Sequence, residues 1–301
     1  MAIMMENVDM PILSQDSVKT NSTELKASSS FLLPDSSVLR YSLEGNPSPD
    51  SPVLVFVNDT FTNLKIWDPA IAVFKERYMR GYSADSIGNS DTFTITLLIS
   101  DLEFLLERLS LPHVHAVIGL GFGANISLAL LADRPSISST FVGIGFAITD
   151  SAIVPRQTAV DDWALRSSLA RRVGMGIIGD KACARWFTTD ARGSPEWVRV
   201  RQMIAAGSIE GMESLSNAVL ERIGYDTEQR GQNMLKNLEV PTLFLCGSSD
   251  CALPEEMETY PAMMNKEKGT FILISRASRL ACCENSSEFV NILHIWLDGF
   301  L

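Results

Sequence analysis

Residues 119–123 read "GLGFG", entered from the apolar run "HAVI" and left through "ANISLALLADRP". A strand that turns between glycines into a helix is the backbone of a nucleophile elbow, G-x-S-x-G, which lifts a serine hydroxyl to the top of a sheet. Gly121 stands at the serine's position, and glycine carries no atom that can attack a carbonyl. A base is equally hard to find. His113 and His115 lie around the start of the strand before the turn and His294 falls inside the C-terminal helix, so none is placed to take up a proton at residue 121. Ser278, Cys251 and Cys282 are the substitute nucleophiles on offer, and without an imidazole to activate them they read as small residues at relaxed positions; the other reading is a cysteine thiolate formed near Arg279.

The elements that would position this turn alternate along the chain. "VLVFV" (53–57), "VHAVIGL" (114–120), "TFVGIGFAI" (140–148) and "PTLFLCG" (241–247) are short continuous apolar runs, the pattern of strands buried on both faces. Between them, "WDPAIAVFKERY" and "TLLISDLEFLLERLSL" have helical period, and "MRGYSAD" reads as a strand. This alternation predicts an α/β protein with a doubly wound, mostly parallel sheet. From residue 151 to 238 the alternation gives way to helical segments broken by Gly and Pro, an insertion expected to cover the carboxyl edge of the sheet as a lid. The expected organisation is therefore a loose tail over 1–28, a core over 29–150 and 239–301, and a helical lid over 151–238. The tail is polar and aperiodic; the other reading of it is a partner-binding arm.

Bulk composition excludes several classes of function. The 301 residues carry a net charge of −11, which would repel a phosphate backbone over most of the surface, so nucleic acid is not an expected partner. No run approaches the roughly 20 apolar residues of a membrane span. The first residues lack a basic segment followed by an apolar one, so the expectation is a cytoplasmic protein. The five cysteines are odd in number and lack framework or zinc spacing, so neither disulfides, a metal nor any other cofactor is expected.

Four blocks in order carry a resemblance. "VLVFVNDTFTNLKIWDP", "VIGLGFGANISLAL", "VPTLFLCGSSDCALP" and "SRASRLACCENSSEF" resemble the oxyanion loop, nucleophile elbow, acid loop and histidine loop of the α/β-hydrolase fold, most closely its 3-oxoadipate enol-lactonase-like branch. The resemblance runs from about residue 31 to the end. It places the nucleophile on Gly121, the acid on Asp250 and the base on Arg279, because "SRLACCENSSEF" matches "GHLxxxExPxxF" with Arg under His. Guanidinium, with a pKa above about 12, cannot accept a proton. After Asn58, where the branch has small residues, this chain has Asp59, Thr60 and Phe61; a carboxylate there opposes the charge of a tetrahedral intermediate and Phe61 crowds it. "DSIGNSD" (85–91) also lacks the arginine of the branch's "RGxGxS" turn.

The resemblance further implies that Asp250 and Arg279 lie within reach of each other, as an ion pair tying the two loops together; the other reading has Arg279 point into the cavity and hold an anionic or carbonyl-bearing ligand. Trp163, Met175, Trp186, Phe187, Trp197, Met203 and Met212 on the lid predict a mainly apolar cavity, with Trp186 and Phe187 the better candidates to face it. The expected ligand-binding set is Asn58, Asp59, Thr60, Phe61, Gly121, Phe122, Trp186, Phe187, Asp250 and Arg279. Two functions follow as expectations. One is a degenerate hydrolase that binds a hydrophobic, carbonyl-bearing small molecule or serves as an auxiliary partner of another enzyme, as divergent members of the fold do in natural-product pathways. The other is a non-hydrolytic cyclase, isomerase or lyase that works by confinement and polarisation, with Asp59, Asp250, Arg279 or Tyr82 moving a proton or polarising a carbonyl.

Overall fold

A computed structural model describes residues 25–33, 38–45, 51–74, 79–87, 93–148, 156–224, 227–265 and 268–300. Eight strands form one sheet: β1 (Leu25–Leu32), β2 (Val38–Gly45), β3 (Leu54–Val57), β4 (Met79–Ile87), β5 (Val114–Leu120), β6 (Ser138–Ile144), β7 (Thr242–Gly247) and β8 (Gly269–Ile274). Their spatial order is β1-β2-β4-β3-β5-β6-β7-β8. β1 and β2 run antiparallel at one edge, and every pairing from β4 across to β8 is parallel. β1 begins at Leu25, inside the stretch expected to be tail; the rest of that stretch lies outside the described residues.

The apolar runs become the central strands for a simple reason. Successive side chains of a strand point to opposite faces, so a strand covered by helices on both sides must be apolar at every position. Along β3, Leu54 and Phe56 join one apolar cluster while Val55 and Val57 join the other. Ala116, Ile118 and Leu120 of β5 pack on the first face and Val117 on the second. Helices α1 (Asp68–Phe74) and α12 (Ser286–Asp298) pack on the first face; α2 (Ile95–Arg108) and α3 (Phe122–Asp133) pack on the second. Thr94 caps α2 by accepting a hydrogen bond from the Leu97 amide at 3.0 Å, and Pro135 stands just past Arg134, the C-cap of α3.

Among the described residues between β6 and β7 lie α4 (Arg156–Val173), α5 (Gly176–Trp186), α6 (Pro195–Ala205), α7 (Ile209–Gly224) and α8 (Thr227–Asn237). Met175, Phe187, Met203 and Met212 of this stretch are buried in the same cluster as Phe56 and Trp67, and none of the four lines the cavity described below. α8 behaves differently from the lid expected over 151–238: Leu235 is buried with α2 and α3, so this helix belongs to the layer beneath the sheet. Between β7 and β8 lie α9 (Leu253–Glu258) and α10 (Tyr260–Met263), and the short α11 (Ala281–Glu284) precedes α12. Glu284 ties the lid to the loop after β8: its Oε1 accepts from the Thr188 amide at 2.7 Å and its Oε2 from the Ser278 amide at 2.8 Å.

Candidate functional site

The turn between β5 and α3 keeps the backbone of an elbow. Gly121 has φ 54° and ψ −118°, a conformation that L residues adopt only under strain and glycine adopts freely. Gly123 is needed for a different reason, since a Cβ there would lie 2.5 Å from the carbonyl oxygens of Val57 and Asn58, which the first turn of α3 approaches directly. The oxyanion-loop segment and the elbow are thus pressed together, and the consequence falls on the residue after Asn58.

Asp59 is buried, with 4% of its surface exposed, and its carboxylate lies directly above Gly121. A Cβ placed on residue 121 would land on that carboxylate, closer than 3.0 Å to its Cγ and to both oxygens. Asp59 Oδ1 accepts hydrogen bonds from the Phe122 amide at 2.8 Å and the Thr60 amide at 2.8 Å. The Thr60 hydroxyl adds a third at 3.3 Å. In an elbow, the amide that follows the nucleophile is one of the oxyanion-hole donors. Here that donor is held by a fixed anion of the protein itself. The expectation of a carboxylate at the mouth therefore understated its position: Asp59 occupies the space of the missing side chain.

Arg279 follows Asp59 rather than Asp250. Its Nε lies 3.8 Å from Asp59 Oδ2, an ion pair too long for a direct hydrogen bond. The expected Asp250–Arg279 bridge does not form; Asp250 is buried, 6% exposed, and its Oδ2 has no hydrogen-bond partner. Burial raises the Asp250 pKa above its ordinary value, Arg279 and then Arg185 oppose that shift, and Asp59 adds to it. The loop after β3 sets the Asp59 carboxylate over the elbow and within ion-pair distance of the Arg279 guanidinium.

A cavity of about 200 Å³ opens above this group. Of the residues singled out from the sequence, Asp59, Thr60, Phe61, Gly121, Phe122, Trp186 and Arg279 line it, whereas Asn58, Phe187 and Asp250 do not. Asn58 instead donates from Nδ2 to the Thr62 carbonyl at 3.1 Å, and Phe187 is core. Phe61, at φ 65°, turns its ring toward the lid, with centroids 5.4 Å from Trp163 and 6.3 Å from Trp186. The wall is not mainly apolar, because Arg166, Lys181 and Arg185 join Arg279 along it, and Asp162 joins Asp59. Sequence reasoning missed these cations, although Asp162 with Arg166 and Lys181 with Arg185 each sit one helical turn apart and Arg185 adjoins Trp186.

The other candidates stand apart from the cavity. His113 bonds to the Ser136 carbonyl and the Ser139 hydroxyl at 2.7 and 2.9 Å, His115 to the Leu297 carbonyl at 3.3 Å, and His294 lies 3.6 Å from Asp298. Cys282 is buried, and its thiol pKa is raised by its contact with Cys283 and by burial, which disfavours a thiolate. Cys251 is exposed. Among the described residues no group of three His, Cys, Asp or Glu side chains is arranged to hold a metal, and no helix is long and apolar enough to cross a membrane. Tyr82 lies on β4, and its side chain is outside what the structure describes.

No protein-family model matches the sequence. The chain is 28% identical over 214 residues to 3-oxoadipate enol-lactonase 2 of Acinetobacter baylyi, covering 67% of this chain and 72% of the relative. The enol-lactonase of Burkholderia xenovorans superposes with a TM-score of 0.76 at 20% identity, over 90% of this chain and 100% of that one. A thermophilic esterase from Thermogutta terrifontis, solved with malate bound, superposes with a TM-score of 0.77 at 20% identity, over 93% and 99%. The chain has the α/β-hydrolase fold, with enol-lactonases among its sequence relatives.

Two measurements check this geometry. Gly121→Ser alone should destabilise the protein by about 2–4 kcal/mol, from the clash with Asp59 and the backbone conformation. In denaturant titrations the Asp59→Gly, Gly121→Ser double variant should recover about 1–3 kcal/mol of that loss; simple additivity of the two changes would contradict the overlap. Asp250 makes a second test. Its native pKa lies above the ordinary 3.8, so the ionised form costs stability at pH values above the native pKa, and the cost fades as pH falls toward 3.8. Asp250→Asn should therefore raise Tm at pH 7, by about 2–4 °C per kcal/mol recovered, with the gain shrinking toward pH 4.

Proposed function

We propose that this protein is a catalytically degenerate α/β-hydrolase that binds a small, carbonyl-bearing molecule in the cavity above Gly121, as an auxiliary partner of another enzyme. The observation that carries the proposal is the Asp59 carboxylate, which takes the Phe122 amide and the volume above Gly121 together. Serine-type hydrolysis needs a nucleophile, a base and donors aimed at the developing oxyanion. Position 121 supplies no nucleophile, position 279 supplies a guanidinium, and the donor amide faces a negative charge. Loss of one triad member alone costs up to about a millionfold in turnover. The enol-lactonases among its relatives act, by their name, on a lactone, which supports a carbonyl-bearing ligand of modest size for this cavity.

A second reading, a non-hydrolytic catalyst, is favoured by the same carboxylate: Asp59 lines the cavity, where it could accept a proton from a bound ligand. Both readings forbid ester hydrolysis by the wild-type protein.

The test is stepwise restoration with aryl esters as substrate. Wild type should show no turnover above background. Gly121→Ser with Arg279→His should stay inactive, because Asp59 still holds the Phe122 amide, and only the triple variant with Asp59→Gly should gain hydrolysis. Turnover by the wild type, abolished by a single change in the cavity, would overturn the proposal.

A further inference from the structure

The charge of the cavity is opposite to the charge of the chain. The protein has a net charge of −11, yet the cavity wall brings Arg166, Lys181, Arg185 and Arg279 together against the carboxylates of Asp59 and Asp162. Asp59 is fixed at the floor by two amides and a hydroxyl on Oδ1, and its charge is paired there with Arg279, 3.8 Å from Oδ2. No carboxylate of a described residue lies within 4.0 Å of Arg166, Lys181 or Arg185. Arg166 is half-buried and rests its guanidinium over the Trp163 ring, 5.0 Å from the centroid. Burial first, and then Arg185 and Arg279, pull its pKa below the ordinary value, with Asp162 opposing. Cations that repel one another around a cavity leave an electrostatic demand that an anion from outside would meet.

The same two helices supply a complementary surface. α4 contributes Trp163 beside Arg166, α5 contributes Trp186 beside Arg185, and Phe61 packs its ring against both indoles. A volume of about 200 Å³ falls below the roughly 300–1,000 Å³ of drug-sized sites, so the body of the ligand is small. Planar arginine forks match a carboxylate, and flat rings match a flat body.

We propose that the ligand of this cavity is a small aryl carboxylate, with its ring against Phe61, Trp163 and Trp186 and its carboxylate held by Arg166, Arg185 and Lys181. This rests on the small-molecule-binding reading above and adds the charge and shape of the ligand. The Phe122 amide takes no part in holding it, because Asp59 keeps that donor.

The experiment is a tryptophan-fluorescence titration of the full chain with benzoate, phenylacetate and 3-phenylpropanoate, with their primary amides, and with inorganic phosphate. At least one acid should saturate the signal and bind at least about tenfold more tightly than its amide, with phosphate far weaker. Arg166→Met should weaken the acid about tenfold or more and leave the amide unchanged. Arg185→Gln, at an exposed position, gives a second variant whose fold is not at risk and should weaken the acid severalfold. Equal binding of acid and amide overturns the carboxylate inference while small-molecule binding stands. Phosphate binding as tightly as the acids overturns the aryl part, and saturation by none of the organic compounds overturns the inference as a whole. Ester hydrolysis by the wild type is a separate outcome, which removes the degenerate-site reading whatever the titrations give.

Discussion

The hydrogen bond from the Phe122 amide to Asp59 organises this site, because it joins what would otherwise be two unrelated departures from the fold's usual pattern. Asp59 reaches the amide only because residue 121 lacks a Cβ, and the amide at the start of α3 is satisfied only because Asp59 reaches it. Neither change is easily reversed alone. A side chain at 121 meets the carboxylate, whereas an uncharged residue at 59 leaves a buried donor facing an empty space. Arg279 belongs to the same unit, since its guanidinium follows the negative charge to Asp59 and leaves Asp250 buried with an unmatched oxygen.

The lid adds a second layer of constraint. Its methionines and Phe187 serve the core, so they hold α4 to α7 against the sheet, while the lid residues lining the cavity include two indoles, three cations and Asp162 among smaller apolar side chains. Glu284 fixes the height of that lid by binding the Thr188 and Ser278 amides at once. On the proposed reading, the anionic group fixed at the floor and the cations on the roof divide the cavity into an end that repels negative charge and an end that attracts it, which would set the orientation of a bound acid.

Much of this was legible in the sequence. Continuous apolar runs announce strands buried on both faces, and "GLGFG" between such a run and a helix announces the elbow, because both follow from local periodicity and glycine geometry. Gly121, Asp250 and Arg279 were found by position within motifs. The Asp59–Arg279 pair was not, since which of two nearby carboxylates takes a guanidinium depends on how closely the loop after β3 approaches α3, a contact set by Gly123 and the Val57 and Asn58 carbonyls. The cavity's charge escaped for another reason. Arg166, Lys181 and Arg185 look like an ordinary solvated helix face until the packing of α4 against α5 places the half-buried Arg166 and the exposed Lys181 and Arg185 around the rim of one space. Methionine and aromatic residues were equally ambiguous: Trp186 and Phe187 are buried in one cluster, and only the packing shows that Trp186 also lines the cavity while Phe187 does not.

The central claim is that the amide after Gly121 is bound to the protein's own carboxylate rather than open to a ligand. Hydrogen exchange of the Phe122 amide, followed by NMR in the wild type and in Asp59→Ala, tests it most directly. The account predicts a protected amide in the wild type, exchange that speeds up by at least about tenfold in the variant, and no such change at neighbouring α3 amides. Equal exchange at Phe122 in the two proteins would show that Asp59 does not hold that donor, and the account of the site would fail with it.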